Sequence, residues 1–345
     1  MTKLTLQQDT ALKEFGLCFI ELPIVSETFQ DFDDLRFNRD YQSDPQCMML
    51  TGETGSGKTR LIQEYRRRVN ANSGFRHSDV PVLITNISSN KGLENTLVQI
   101  LSDLDTFGCH QKKRGMKTDL TKKVVRNLIA ANVELLIINE FHDLIKFKNY
   151  QEIQIITSAL KFISEAANIP IVLVGMPWMK DIINDSEWGS RLRRRKHLEY
   201  FSYIRKEDRE HFRLLLVGFS KRMSFDTRPV LHSKELTRAL FAVCRGEFRQ
   251  LMVFLYEACK MALQNNDHTL NEKTLAETFD KLGCEHLSSN PFTIKFKEIP
   301  IPVLSIPSGS GPAAKKKKLD GSGRYNPNAL EEKDEIIDRV FEYIY

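Results

Sequence analysis

Residues Gly52-Glu53-Thr54-Gly55-Ser56-Gly57-Lys58-Thr59 leave this chain few folds to choose from. They satisfy G-x-x-x-x-G-K-[ST], a loop that cradles phosphates. Gly52, Gly55 and Gly57 let the backbone take conformations that a Cβ would forbid, so successive N–H groups can turn toward one anion. Lys58 brings a mobile positive charge to the β- and γ-phosphates, and the Thr59 hydroxyl is placed to bind Mg²⁺. Arg60, next in the chain, completes the candidate nucleotide-binding set. The flanks fit: Cys47-Met48-Met49-Leu50 reads as a buried strand, and Leu61 to Val69 as a helix whose N-terminus favours phosphate. The sequence predicts a site for ATP with Mg²⁺.

At 345 residues, 41% hydrophobic and 28% charged, the chain has room for one large or two ordinary domains. No apolar run approaches membrane-spanning length, so no membrane partner is expected. The six cysteines are scattered, which suits buried thiols better than zinc ligands or disulfides. The net charge of +5 is small, so any nucleic-acid surface has to be local.

Gly309-Ser310-Gly311 and Gly321-Ser322-Gly323 bracket a basic nonapeptide, residues 312–320, that carries +3 of that charge. Identical flexible linkers on both sides mark residues 309–323 as an engineered insert. The nonapeptide resembles a Myc-type nuclear localisation signal, which implies delivery to the nucleus.

Residues 1–45 read as an N-terminal extension beside the nucleotide site. Then strand and helix alternate: a strand over 80–86, a helix over 91–104, a helix over about 119–131, a strand over 133–140, a helix over 150–168 and a strand over 169–175. That order predicts an α/β domain over 46–204, a parallel sheet between helices. Amphipathic helices over 206–223, 233–244, 246–264 and 271–282 form a small helical lid, 205–285. Residues 286–308 read as an extended linker.

Val133 to Glu140 is an apolar strand ending in Asn139-Glu140, where an ATPase carries an acidic pair. Glu140 keeps the role of orienting the attacking water. Asn139 stands where a carboxylate would hold Mg²⁺ through water. Its amide oxygen can do so without charge, which predicts slow or partner-dependent hydrolysis. Strand 169–175 ends in Gly175-Met176-Pro177, with no polar side chain to sense phosphate. Lys112, Lys113, Arg114 and Lys117 lie in a polar loop, a DNA-backbone contact or a solvated turn. Arg191, Arg193 and Arg194 belong to a run of positive charges that repel one another. One of them reaching a neighbouring subunit's γ-phosphate would account for the cluster, as would DNA contact; a solvated turn is the bland reading. Arg249, in the first turn of a lid helix, is placed to fold over the phosphates.

After the insert, residues 324–345 read as an acidic amphipathic helix: Asn328 and Glu331 make a capping box, and Leu330, Ile336, Ile337, Val340, Phe341 and Ile344 share one face. Such a tail docks in a partner's groove or folds back on its own domain.

Phosphate loop, acidic strand, arginine cluster and arginine-bearing lid, in that order, resemble an AAA+ ATPase. Phe19-Ile20-Glu21-Leu22-Pro23, Leu50 to Thr59, Leu135 to His142 and Leu173 to Pro177 resemble the TnsC/TniB transposition regulators, nearest to TnsC of CRISPR-associated transposons, over roughly residues 15–265. The resemblance implies an ATPase of the bacterial cytoplasm that assembles as a homo-oligomeric ring or filament, a heptamer among the forms, on duplex DNA. It would link TniQ on an RNA-guided targeting complex to the TnsA/TnsB transposase, contacted through the tail. It makes Lys58 and Thr59 nucleotide ligands, Glu140 the hydrolytic carboxylate, one of Arg191, Arg193 and Arg194 the trans-acting finger, and Arg249 a second sensor, with loop 112–117 facing DNA. Two alternatives stay open: a nucleotide-stabilised DNA scaffold that never hydrolyses, and another initiator-like AAA+ ATPase.

Overall fold

In the computed structural model, residues 4–42, 44–71, 74–76, 78–87, 92–104, 120–146, 148–180, 187–284 and 286–301 are described. Loop 112–117, the insert and the tail lie outside them. Four short apolar runs form most of one sheet: β1 (Met48–Gly52), β2 (Val82–Asn86), β3 (Leu135–Asn139) and β4 (Ile171–Gly175). β1, β3 and β4 are buried throughout, which is why they are continuous hydrophobic runs rather than alternating ones.

The order is β2-β3-β4-β1-β5, all parallel. β4 therefore sits between the phosphate-loop strand and the strand that ends at Asn139. In register, Thr51 lies beside Gly175 and Asn86 beside Asn139. Every candidate strand-end residue leaves the sheet at the same carboxyl edge, where ligands bind in open parallel sheets.

β5 (Arg194–Leu198) was not expected as a strand. Its run of arginine and lysine hides the pattern, and its partners explain how it folds. β5 lies beside α2 (Pro23–Asn38), with Arg194 Nη1 2.7 Å from Asp31 and 3.0 Å from Asp34, and Lys196 Nζ 2.7 Å from Glu27. The expected mutual repulsion is thus eased in part: carboxylates of α2 pair with Arg194 and Lys196 within one chain.

Helices cover both faces of the sheet. α2 and α3 (Lys58–Asn70) bury Phe29, Phe32, Leu35, Leu61, Ile62 and Tyr65 against one side. α4 (Leu93–Asp103), α5 (Leu120–Ala130), α6 (Phe141–Ile145) and α7 (Tyr150–Ala167) cover the other. Asn149 and Glu152 close a reciprocal capping box at the start of α7. α2 is further fixed by Arg36, whose Nε donates to Glu134 at 3.0 Å.

A separate core joins α8 (Lys206–Arg222), α9 (Lys234–Cys244), α10 (Phe248–Asn265) and α11 (Glu272–Leu282). The chain's first helix, α1 (Leu6–Leu17), adds Leu12 and Phe15 to that core. Residues 286–301, expected as a linker, lie against the same helices: Phe292 stacks on Phe254 with centroids 5.6 Å apart, and Arg238 Nε donates to the Ile299 carbonyl at 2.9 Å. Among the described residues, no helix is long and apolar enough to cross a membrane.

Phe32 is fully buried between α2 and the sheet, edge-on to Tyr65. Phe32→Ala is expected to cost about 3–5 kcal/mol in urea unfolding, because α2 cannot collapse into the space without pulling its carboxylates off β5.

Candidate nucleotide site

The loop between β1 and α3 turns through two left-handed glycines, Gly55 (φ 86°) and Gly57 (φ 95°), the second serving as the N-cap of α3. Lys58 folds back across the loop: its Nζ donates to the Gly52 carbonyl at 2.7 Å and the Glu53 carbonyl at 2.9 Å. Burial holds this ammonium below the ordinary lysine range, against the pull of Glu140 and Glu53. The Ser56 hydroxyl is buried with no hydrogen-bond partner among the described residues. A buried cation at a helix N-terminus is a demand for an anion.

A cavity of about 430 Å³ opens there, lined by Thr54, Gly55, Gly57, Lys58, Thr59, Arg60, Glu140, His142 and Arg249 among others. Candidates from three parts of the sequence therefore meet: loop, β3 end and lid. Glu140 caps α6 in a left-handed conformation (φ 57°, ψ 36°), an uncommon state for a residue with a Cβ. Asn139 is buried; its Nδ2 donates to Asn86 Oδ1 at 2.8 Å, and its Oδ1 has no partner among the described residues.

The lid and the exit of β5 grip the phosphate loop directly. Arg249 N–H donates to the Gly55 carbonyl at 3.1 Å, and the Tyr200 hydroxyl donates to the Thr54 carbonyl. Glu247 lies against Gly55, so that a Cβ there would come 2.9 Å from Glu247 Cδ. Burial pushes Tyr200 up to about 12 and raises the Glu247 carboxyl as well. Gly246 (φ 79°) lets the lid turn meet the strand exit, with Phe201 N–H donating to its carbonyl at 3.1 Å. Bonding the outer carbonyls of a loop helps keep its N–H groups turned inward.

Arg60 points elsewhere than expected. Its guanidinium bonds the Leu17 carbonyl and, at 3.1 Å, the Cys18 carbonyl, capping the C-terminus of α1. It still lines the cavity from that position, as do Gly16 and Cys18. A second, more apolar cavity of about 310 Å³ adjoins it through Gly57, Arg60 and Phe248, walled by Phe19, Ile20, Leu198 and Phe201.

The arginine cluster lies at the far end of β5. Arg194 pairs with Met48, the first residue of β1, so Arg193 sits roughly 16 Å from the phosphate loop at strand rise. Arg191 is bound by Glu165 and lies 3.7 Å from Asp44. Arg193 is exposed and has no ion pair or hydrogen bond among the described residues.

Sequence reading missed Tyr200, Glu247 and His142. Tyr200 ends a charged run with no visible period, and Glu247 precedes a more conspicuous arginine. His142 was legible only as part of Asn139-Glu140-Phe141-His142.

A family model described as bacterial TniB protein matches residues 18–202, from the strap before α2 through all five strands. The chain belongs to the TniB family. No curated protein sequence matches it. Among solved structures, the TniB-family chain resembles the Aeropyrum pernix ORC2 protein (ADPNP-ADP complexes) at 17% identity and a TM-score of 0.56, covering 77% of this chain and 71% of that one. Cdc6p from Pyrobaculum aerophilum follows at 14% identity and 0.55, covering 78% and 70%. The Aeropyrum pernix ORC1 protein in complex with DNA gives 14% and 0.53, covering 78% and 69%. These likenesses show the fold, a parallel five-stranded sheet with helices, as that of an AAA+ P-loop ATPase.

Tyr200→Phe removes one donor to the loop and leaves the fold alone. Nucleotide affinity is expected to fall roughly fivefold, about 1 kcal/mol, in a fluorescent-nucleotide titration, with an unchanged melting temperature.

Proposed function

We propose that this TniB-family chain is an ATP-dependent regulator of transposition that assembles on duplex DNA and hydrolyses ATP slowly or on contact with partners. The observation that carries it is the division of the site. Lys58, Thr59, Glu140 and Arg249 surround one cavity, while Arg193 lies at the opposite end of the sheet with no partner among the described residues. An arginine placed there cannot serve its own nucleotide, but it can reach one in a second copy. Hydrolysis then depends on assembly.

In this reading Lys58 and the loop amides hold the β- and γ-phosphates. Glu140, held at the head of α6 with a half-exposed carboxylate, orients the attacking water and takes its proton. Arg249 brings charge from the lid. The apolar cavity beside Arg60 suits a purine base. Mg²⁺ fits the residues present: the Thr59 hydroxyl would bind it, and the unpartnered Asn139 Oδ1 would accept from one of its waters. Bound there, it would neutralise charge on the phosphates.

Duplex DNA is the proposed ligand, with Lys112, Lys113, Arg114 and Lys117 as its contacts. TniQ on an RNA-guided complex and the TnsA/TnsB transposase are the proposed partners, the latter through residues 324–345. One observation favours a second reading. Asn139 offers no charge for a metal and its amide is tied to Asn86, which suits a nucleotide-bound scaffold that does not turn over.

ATP hydrolysis with and without duplex DNA, paired with electron microscopy, separates the two. The regulator reading expects DNA-stimulated hydrolysis, lost at least a hundredfold in Glu140→Gln, with rings or filaments on DNA in ATP. Rings without hydrolysis in the unaltered chain select the scaffold; no assembly on DNA removes both. Arg193→Ala is expected to keep nucleotide affinity within twofold and to lower DNA-stimulated hydrolysis by about 10³ or more. Arg194→Ala, which strips the partner of Asp31 and Asp34, should instead lower the melting temperature.

A further inference from the structure

β4 lies between the phosphate-loop strand and the strand that leads to Glu140, so its tip faces the place where a terminal phosphate would sit. The chain has Gly175 there, followed by Met176 and Pro177, none of which carries a hydroxyl, amide or charge. The space over Gly175 is nevertheless filled. A Cβ at that position would come 3.1 Å from His142 Nδ1, 3.2 Å from the His142 backbone nitrogen and 2.8 Å from Met179 Sδ. The glycine at the end of β4 is what lets the imidazole of α6 lie across it.

His142 lines the same cavity as Lys58, Thr59, Glu140 and Arg249. Its side chain is only 16% exposed, and Nδ1 is buried without a hydrogen bond among the described residues, 3.4 Å from Glu140 Oε2. Nε2 lies 3.7 Å from Asp143, and the ring meets Trp178 edge-on at 5.9 Å between centroids. Burial holds the imidazole below the usual histidine range, against Asp143 and Glu140, so near pH 7 it is neutral with one N–H. A carboxylate and a phosphate oxygen are both acceptors only. A ring N–H turned into the cavity can therefore serve either, or be shared between them.

We propose that His142 makes, from α6, the contact to the terminal phosphate that the end of β4 has no side chain to make, and that this contact aligns Glu140. His142 is then the group that distinguishes a nucleoside triphosphate from a diphosphate. The proposal rests on the nucleotide-hydrolysis reading above, and its test keeps the two apart.

Two variants of the full chain carry the test. His142→Phe keeps the ring and its edge contact with Trp178 but removes both nitrogens. His142→Asn keeps a donor near the position of Nδ1. Affinities for ADP and for ADPNP are measured by competition, beside the kcat and KM of DNA-stimulated ATP hydrolysis. In His142→Phe the ADPNP-over-ADP affinity ratio is expected to fall about tenfold, with ADP affinity within twofold, and kcat to fall more than KM rises. His142→Asn is expected to recover the ratio to within about threefold. An unchanged ratio in His142→Phe, or an equal loss of ADP and ADPNP affinity, overturns the proposal. If His142→Phe does not fold, His142→Asn against His142→Gln decides it: the longer amide misplaces the donor, and equal ratios in the two overturn it. If the unaltered chain hydrolyses no ATP with or without DNA, the hydrolysis reading fails, and the affinity ratio alone still decides the role of His142.

Discussion

A single buried ammonium constrains more of this molecule than any other group. Lys58 is held by the carbonyls of Gly52 and Glu53, in a loop whose glycines take left-handed conformations. Carbonyl dipoles alone are poor compensation for a desolvated charge, and Glu140 and Glu53 are the acidic groups that pull on it. The order of the sheet follows from keeping these groups together. With β4 interposed, β1 and β3 deliver the lysine and the glutamate to one edge at a distance that leaves room for phosphates between them.

The lid is part of the same arrangement rather than an attached module. Its backbone donates to Gly55, Tyr200 donates to Thr54, and Glu247 rests on Gly55. The conformation of two loop residues and the position of a helical domain are therefore one variable. From the other side, Arg60 at the head of α3 holds the end of α1, which is itself built into the lid. A nucleotide entering the cavity would touch all three bodies at once, so its charge state has a short mechanical path to each.

Much of this was legible in residue order. The phosphate loop, the apolar strand ending in Asn139-Glu140 and the amphipathic lid each carry a local pattern with a physical cause, and the strand and the lid helices formed within a residue or two of their expected bounds. What stayed hidden depends on pairing across long separations. β5 reads Arg-Arg-Lys-His-Leu and becomes a strand only because Glu27, Asp31 and Asp34 neutralise it from a helix 160 or more residues earlier. α1 shows no long apolar period because just two of its side chains, Leu12 and Phe15, are buried. Residues 286–301 have no period at all, and are fixed by ring stacking and by Arg238 reaching one carbonyl. At the site, Lys58, Glu140 and Arg249 could be named from sequence. Tyr200 and Glu247 could not, since their part is to touch a loop about 145 to 190 residues away.

The placement of α1 has a consequence for how the chain is made. Gln8 Nε2 donates to the Leu263 carbonyl, a separation of 255 residues, and Phe15 packs edge-on against Phe219. Translation at about 5–20 residues per second puts tens of seconds between the emergence of the first helix and that of its last partners. During that time the sheet domain can close on α2, but the face of α1 that carries Leu12 and Phe15 has nothing to bury it. The lid core is thus a late, long-range event in folding, completed when α1 meets a helix made 255 residues after it.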